Sequence, residues 1–174
     1  TQFNSGKRDS AWKKAYGQDV FPGLHWDKAD VVVALESDFL GVEGDEEAAR
    51  LFASRRDVMK KGKFNRLYTV EGTLSQTGMS ADYRLRLRPD AQYAFVMALA
   101  NELSQQGVNL PADLGSKASA FDLKKLAGTY ALAESSLKHL VSDLKNAQGK
   151  ALLYAGDRLP ESVHLAVHAI NDAL

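Results

Sequence analysis

Three short apolar runs, each ending in acidic residues and glycine, organise this chain. They occupy residues 29–41, 65–73 and 150–157. A short, nearly continuous apolar run is typical of a parallel β-strand that is buried on both faces. The shared ending predicts that the three strands lie in one sheet, with their polar ends at the same edge.

The segments between these runs predict helices. Acidic residues after Gly44 predict the start of a helix whose end carries four basic residues, namely Arg55, Arg56, Lys60 and Lys61. Apolar residues at helical spacing predict three more helices, one from Pro89 to Gly107, one ending at Gly149 and one beginning at Pro160. Residues 73–78 are predicted to form a polar loop.

Residues 83–88 alternate between apolar or aromatic residues and arginine, which predicts a strand with one wet face. Strands that alternate with helices indicate an α/β fold, here a three-layer Rossmann-like parallel sheet with helices on both faces. We expect one domain over residues 1–174, with an irregular N-terminal segment at 1–28 and a weakly structured excursion at 108–128. Because the chain begins with Thr1 rather than Met, we interpret it as a processed protein or a fragment of a larger polypeptide.

The composition of the chain excludes several classes of function. Lys plus Arg equals Asp plus Glu at 22 each, so no overall charge favours nucleic acid or an anionic membrane. The chain has no cysteine and therefore no disulfide, thiol nucleophile or cysteine-ligated metal cluster. No apolar stretch reaches the roughly 20 residues that a membrane-spanning helix needs, so this segment is not expected to insert into a membrane.

The strand ends supply the candidate site, because open parallel sheets bind ligands beyond the carboxyl ends of their strands. The candidate cofactor-binding residues are Glu36, Ser37, Asp38, Glu71, Thr73, Gly156 and Asp157. Carboxylates suit ribose hydroxyls, guanine N–H groups or a hard cation, whereas they repel phosphates unless amides or arginine intervene. The alternative interpretation is that these acids are solvated strand ends and helix caps.

The other motifs in the sequence give weaker evidence for a function. Neither Gly-x-Gly-x-x-Gly nor the phosphate-binding Gly-x-x-x-x-Gly-Lys-Ser/Thr occurs, and neither Ser75 nor Ser80 lies in a nucleophile elbow. His164 and His168 have a spacing that can ligate one metal, but such a pair is more often a helix face packed on a neighbouring element. We therefore assign no catalytic residue and no metal ligand.

Arg84, Arg86 and Arg88 share one face of a predicted strand. They could hold a phosphate or an acidic partner. The alternative is that these charges protect an edge strand from pairing with other chains.

Four segments together resemble the molybdopterin oxidoreductase superfamily. They read ADVVVAL at 29–35 followed by DFLG at 38–41, NRLYTVE at 65–71, TGMSADYRL at 77–85 and SVHLAVHAIN at 162–171. The chain is most similar to the exported molybdopterin-oxidoreductase-like iron–sulfur subunit of alternative complex III, a bacterial quinol:electron-acceptor oxidoreductase. The resemblance covers most of residues 11–174.

This resemblance implies an α/β domain of the formate dehydrogenase and DMSO reductase type, in which active members hold molybdopterin guanine dinucleotide at the strand ends. It also implies iron–sulfur clusters elsewhere in the full-length protein, twin-arginine export to the periplasmic side of the inner membrane, and membrane-bound partner subunits of a respiratory complex. Two family turns are missing. This chain has residues 36–39 in place of a Gly-x-Asn-Pro turn and residues 71–73 in place of an Asp-Pro-Arg turn.

Both departures fall on the dinucleotide contacts, so we expect a scaffold domain that lacks its own cofactor and docks partner subunits. Two alternatives remain open. One is the molybdopterin-guanine-dinucleotide-binding part of an active oxidoreductase. The other is a small α/β protein that binds a nucleoside or a sugar through its strand-end acids.

Overall fold

The computed structural model describes residues 6–17, 22–57, 59 and 64–174. Four strands alternate with eight α-helices in the described residues. In chain order they are α1 (Gly6–Tyr16), β1 (Val31–Leu35), α2 (Glu46–Ser54), β2 (Arg66–Glu71), α3 (Gln76–Met79), β3 (Tyr83–Arg86), α4 (Gln92–Gln105), α5 (Ala112–Ala118), α6 (Leu123–Tyr130), α7 (Glu134–Asn146), β4 (Ala151–Ala155) and α8 (Glu161–Ala173).

The four strands form one parallel sheet in the order β3-β2-β1-β4. In the register, Val31 of β1 lies opposite Arg66 of β2 and Ala151 of β4. The chain builds outward from β1 to β3 and then crosses to the other side of β1 to form β4. This topology confirms the predicted Rossmann-like α/β fold and places a reversal of strand order between β1 and β4.

Helices cover both faces of the sheet because successive side chains of the buried central strand point to opposite sides. All five residues of β1 are buried. Val33 and Leu35 join the larger apolar cluster, which includes residues of α4, α7 and α8. Val32 and Ala34 join a second cluster that includes Phe52 of α2.

The longest helix, α4, lies at the centre of the larger cluster. Eight of its residues are buried, a fraction that suits a helix packed on several sides. A 3₁₀ turn at Pro89–Ala91 leads into it, and Gly107, with φ of 93°, follows its end. Glycine suits this position because L side chains rarely adopt a positive φ. Both boundaries match the prediction.

Three predictions of irregular structure were wrong. The segment 1–28 contains α1, the excursion at 108–128 contains α5 and the start of α6, and the polar loop at 73–78 contains the start of α3. These helices carry weak sequence signals because they are short or polar. Side chains supply the missing stability, as in α6, where Asp122 accepts a hydrogen bond from the amide of Lys125.

The helix predicted to start after Gly44 ends earlier than expected. It stops at Ser54, and Arg55 is its C-cap residue. The predicted basic end therefore lies beyond the helix, and Lys60 and Lys61 lie outside the described residues.

The two edges of the sheet differ. The side-chain amide of Asn171 in α8 both donates to the carbonyl of Leu153 in β4 and accepts from its amide, each over 2.8 Å. The β4 edge is thus closed from the side, whereas β3 forms the other edge. None of the helices in the described part of the chain is long and apolar enough to cross a membrane.

Candidate functional site

The reversal of strand order brings four of the predicted site residues together at the ends of β1 and β4. They are Glu36, Ser37, Gly156 and Asp157. The amide of Gly156 donates to the carbonyl of Leu35 over 2.8 Å. A Cβ atom on Gly156 would overlap the backbone oxygen of Glu36, so only glycine allows the two strand ends to approach this closely.

Glu36 joins the ends of β1 and β2. Its carboxylate accepts from the amide of Gly72 over 2.6 Å and lies 3.4 Å from Nε2 of the buried Gln92. Burial raises the pKa of the Glu36 carboxyl, and the hydrogen bond from Gly72 opposes that shift. Its backbone φ of 47° is left-handed, which costs a non-glycine residue roughly 1 kcal/mol or more.

Glu43 is a second carboxylate of this group, and sequence reasoning missed it. It accepts a hydrogen bond from the amide of Asp38 over 3.2 Å and lies beside the buried Ser37. Burial raises the pKa of the Glu43 carboxyl, and the nearby charge of Asp157 adds to the shift. Glu43 lies in the loop before α2, well beyond the end of β1. Its position along the chain therefore did not indicate that it belongs to the strand-end group.

The carboxylate of Asp38 is engaged in hydrogen bonds within the protein. Its carboxylate accepts from the amide of Thr77 over 2.9 Å, from the Thr77 hydroxyl over 3.0 Å and from the amide of Val42 over 3.2 Å. A Cβ on Gly41 would overlap the same carboxylate. Asp38 therefore ties the loop after β1 to the first turn of α3.

The carboxylate of Glu71 is likewise engaged in hydrogen bonds within the protein. Only 2% of the residue is exposed, and its carboxylate accepts from the Ser75 hydroxyl and from Nε of Arg84, each over 2.6 Å. Gly78 lies so close that a Cβ there would overlap the carboxylate. Thr73, two residues further on, is exposed at the surface. The structure therefore assigns Glu71 a structural contact and leaves Thr73 outside the group.

Asp157 forms an ion pair with Arg8 of α1 over 2.5 Å. Arg8 also donates to the Tyr154 hydroxyl over 2.6 Å. Burial raises the pKa of Tyr154 to about 12, so the phenol stays protonated at neutral pH. Sequence reasoning missed Arg8 because it comes from the segment that was predicted to be irregular.

Seven backbone amides near the strand ends are already taken by side chains of the same chain. Those of Asp38, Leu40, Val42, Gly72, Ser75, Thr77 and Gly78 each donate to a side-chain oxygen. A bound pyrophosphate needs such amides as donors. With these seven amides occupied and three carboxylates (Glu36, Glu43, Asp157) beside β1 and β4, the arrangement disfavours a pyrophosphate at these positions.

The two histidines of α8 pack against α1, as the packing interpretation predicted. His164 is buried, and its ring hydrogen-bonds to the backbone of Leu159. The ring of His168 makes an edge contact with Tyr16, with ring centroids 4.7 Å apart, and Nε2 lies 3.2 Å from Asp172. Across the described residues, no group of three or more His, Asp or Glu side chains could hold a metal ion.

Comparisons with known proteins establish the fold. No model of a known protein family matches this sequence, and no curated protein matches it. Among solved structures, the chain is similar to acetylene hydratase from Pelobacter acetylenicus, with a TM-score of 0.68 over 97% of this chain and a sequence identity of 14%. The chain spans 24% of the length of that protein. At this identity the similarity shows a shared fold and nothing finer.

Proposed function

We propose that this chain is a molybdopterin-oxidoreductase-like domain that acts as a scaffold in a membrane-associated respiratory complex oxidising quinol. In this proposal it binds no pterin dinucleotide, carries no catalytic residue and docks other subunits on the periplasmic side of the inner membrane. Iron–sulfur clusters would lie elsewhere in the full-length protein, since this chain has no cysteine to bind them.

Two observations support the superfamily part of the proposal. The sequence segments at 29–35, 38–41, 65–71, 77–85 and 162–171 resemble that superfamily. The parallel sheet with helices on both faces is the type of fold that the resemblance implies, and acetylene hydratase has a similar fold.

The observation that carries the scaffold role is that carboxylates of the chain itself accept hydrogen bonds from several strand-end amides. The carboxylate of Glu36 holds the Gly72 amide, Glu71 holds the Ser75 amide, and Asp38 holds the amide of Thr77. In a dinucleotide site, groups of this kind would face the ligand. Replacing a charge-assisted hydrogen bond of this kind with a ligand contact offers little net gain.

Cofactor content tests the proposal directly. The full-length protein would be purified within its native complex, its pterin released by oxidation and measured by fluorescence, and its molybdenum and tungsten measured by mass spectrometry. We expect far less than one pterin per chain in a complex that still oxidises quinol. One pterin per chain would overturn the scaffold role and support an active dinucleotide-binding domain.

A pair of variants tests whether the strand-end acids take part in turnover. Glu36→Gln keeps an oxygen for the Gly72 amide but removes the charge, and Glu47→Gln on the exposed start of α2 is the matched control. We expect both assembled complexes to oxidise quinol within about twofold of the unmodified complex. Loss of turnover in Glu36→Gln alone, with normal assembly, would contradict the proposal.

Thermal stabilisation by a nucleoside or sugar would instead favour a small-ligand-binding protein.

A further inference from the structure

The β3 edge of the sheet is open, in contrast to the β4 edge. Asn171 satisfies backbone groups of β4 from the side. Within the described residues, no side chain makes such a bond to the backbone of Tyr83–Arg86. An edge strand with one neighbour directs part of its N–H and C=O groups away from the sheet, where another strand can pair with them.

A cleft of about 630 Å³ runs along this edge. The cleft is lined on one side by consecutive residues 84–89 of β3 and its exit, and otherwise by residues 130–133, Ser136 and Gly72. The cleft therefore follows the strand backbone, and its volume is in the range of protein ligand sites, about 300–1,000 Å³.

Arginines are the only charged residues of the lining. The lining contains Arg84, Arg86 and Arg88 and no carboxylate, although the whole chain carries equal numbers of acidic and basic residues. The local charge is therefore a property of this edge, and it complements an acidic ligand.

The three arginines differ in what they already bind. Arg84 is held by Glu71, whose side chain is only 3% exposed. Arg88 pairs with Asp90 in a bond that is exposed on both sides, 71% and 62%, and such pairs contribute little and exchange readily. Arg86 is exposed and forms no ion pair or hydrogen bond through its side chain with any described residue. Arg86 and Arg88 can thus engage a ligand without loss to the fold.

We propose that this cleft binds an extended acidic segment of a partner polypeptide, which adds to the sheet as a fifth strand beside β3. Main-chain hydrogen bonds to the outward groups of β3 supply affinity, and carboxylates on alternate residues of the segment pair with Arg86 and Arg88. The inference rests on the proposed scaffold role and deepens it, because it names a surface and a segment chemistry for docking; peptide binding tests it separately from the pterin content that tests the scaffold role.

A peptide-binding experiment tests the proposal on the purified full-length protein. The probe is a short fluorescein-labelled peptide in which glutamate alternates with valine, followed by fluorescence anisotropy. Two control peptides carry lysine in place of glutamate, or a central proline that blocks strand pairing. We expect binding of the acidic peptide alone. Equal binding of the proline peptide would overturn strand addition, and absence of binding by the acidic peptide would overturn the proposal.

Variants locate the site. Arg86→Glu and Arg88→Glu should each weaken binding of the acidic peptide by about tenfold. Arg50→Glu, on an exposed face of α2, should leave binding unchanged. Unchanged thermal unfolding of each variant would show that the fold is intact. An equal loss in Arg50→Glu would indicate non-specific charge attraction and contradict the proposal.

Amide hydrogen exchange distinguishes strand addition from charge attraction, because charge attraction alone should not slow exchange along β3. The added strand should slow amide exchange at residues 83–87, and the exchange of β4 should stay unchanged. Anionic vesicles and single-stranded oligonucleotides are the competing ligands. If either bound through Arg86 while the acidic peptide did not protect β3, the surface would serve that ligand instead and the proposal would be wrong.

Discussion

His164 is the described side chain whose burial most clearly sets a pH response. It is 4% exposed and faces Arg8, Lys7 and Asp9 of α1. Burial, with a contribution from the charge of Arg8, lowers the pKa of His164 from 6.5 to about 4. The imidazole is therefore neutral in the folded protein over a range in which the unfolded chain takes up a proton.

The direction of the pH effect follows from this difference. Between pH 6.5 and 4 the unfolded state binds more protons at this site, so the free energy of unfolding falls as the pH falls. The contribution of His164 to the loss between pH 7 and pH 5 should be about 2 kcal/mol. We predict that His164→Gln removes this part of the loss in urea unfolding measured at the two pH values.

The matched control is His25→Gln, because His25 is exposed. This variant should keep the pH dependence of the unmodified protein. The raised pKa values of Glu36 and Glu43 act in the opposite direction, since their protonation favours the folded state as the pH falls. They are unchanged in both histidine variants, so the comparison isolates His164. Equal pH slopes in the two variants would contradict the prediction.

At the scale of elements, the contact between the ends of β1 and β4 depends on Gly156. A Cβ at this position would meet the backbone of Glu36, which cannot swing aside as a long side chain can. We predict that Gly156→Ala lowers the free energy of unfolding by about 3 kcal/mol. Gly115→Ala in α5, where a Cβ meets nothing within 4 Å, should raise it by about 0.5 kcal/mol. Urea unfolding of the two variants checks both signs, and a mild effect of Gly156→Ala would mean that the strand ends are not in tight contact.

The β4 edge depends on one side chain of α8. Asn171 meets both backbone groups of Leu153, so Asn171→Leu leaves an amide and a carbonyl without these partners. We predict a loss of about 1–3 kcal/mol in the free energy of unfolding, together with faster amide exchange at Leu153. Asn146→Leu on the exposed end of α7 is the control and should change neither. Unaltered exchange at Leu153 in Asn171→Leu would show that the edge is closed by other means.

Strands and helices differ in how well the sequence predicts them. The fully apolar β1 and the alternating β3 were predicted, because burial on two faces or on one face leaves a direct pattern. Helix α1 was not, because Ala11 is its only buried residue. Distant contacts hold it instead, such as the 2.7 Å hydrogen bond from Ser10 to Glu161 of α8. A pattern within one segment cannot report such a contact.

The candidate site shows the same limit. Glu36, Ser37, Gly156 and Asp157 were predicted together with Asp38, Glu71 and Thr73, because strand ends of a parallel sheet meet at one edge. Arg8 and Gln92 come from α1 and α4, and nothing in their local sequence assigns them to that edge. The alternative open from the sequence was that these acids are solvated strand ends and helix caps. Asp38 and Glu71 instead accept internal hydrogen bonds, and Glu71 is buried.

For the whole molecule, β1 links the two apolar clusters. Val33 contributes to the larger cluster and Val32 to the smaller one, so loss of either cluster exposes the same central strand. Trp26 lies in the smaller cluster, stacked on Phe39 with ring centroids 4.3 Å apart. Its fluorescence therefore reports on the smaller cluster, while far-ultraviolet circular dichroism reports on all the helices.

Because the clusters share β1, we predict that this chain of 174 residues unfolds in one cooperative transition in urea. With Trp12→Phe as background, Trp26 is the only tryptophan, and its fluorescence transition should coincide with that of circular dichroism. Phe39→Leu in the smaller cluster and Phe95→Leu in the larger one should each shift both transitions together, by about 1–2 kcal/mol. If Phe39→Leu moved the fluorescence transition alone, the two faces of the sheet would unfold separately, and β1 would not couple them.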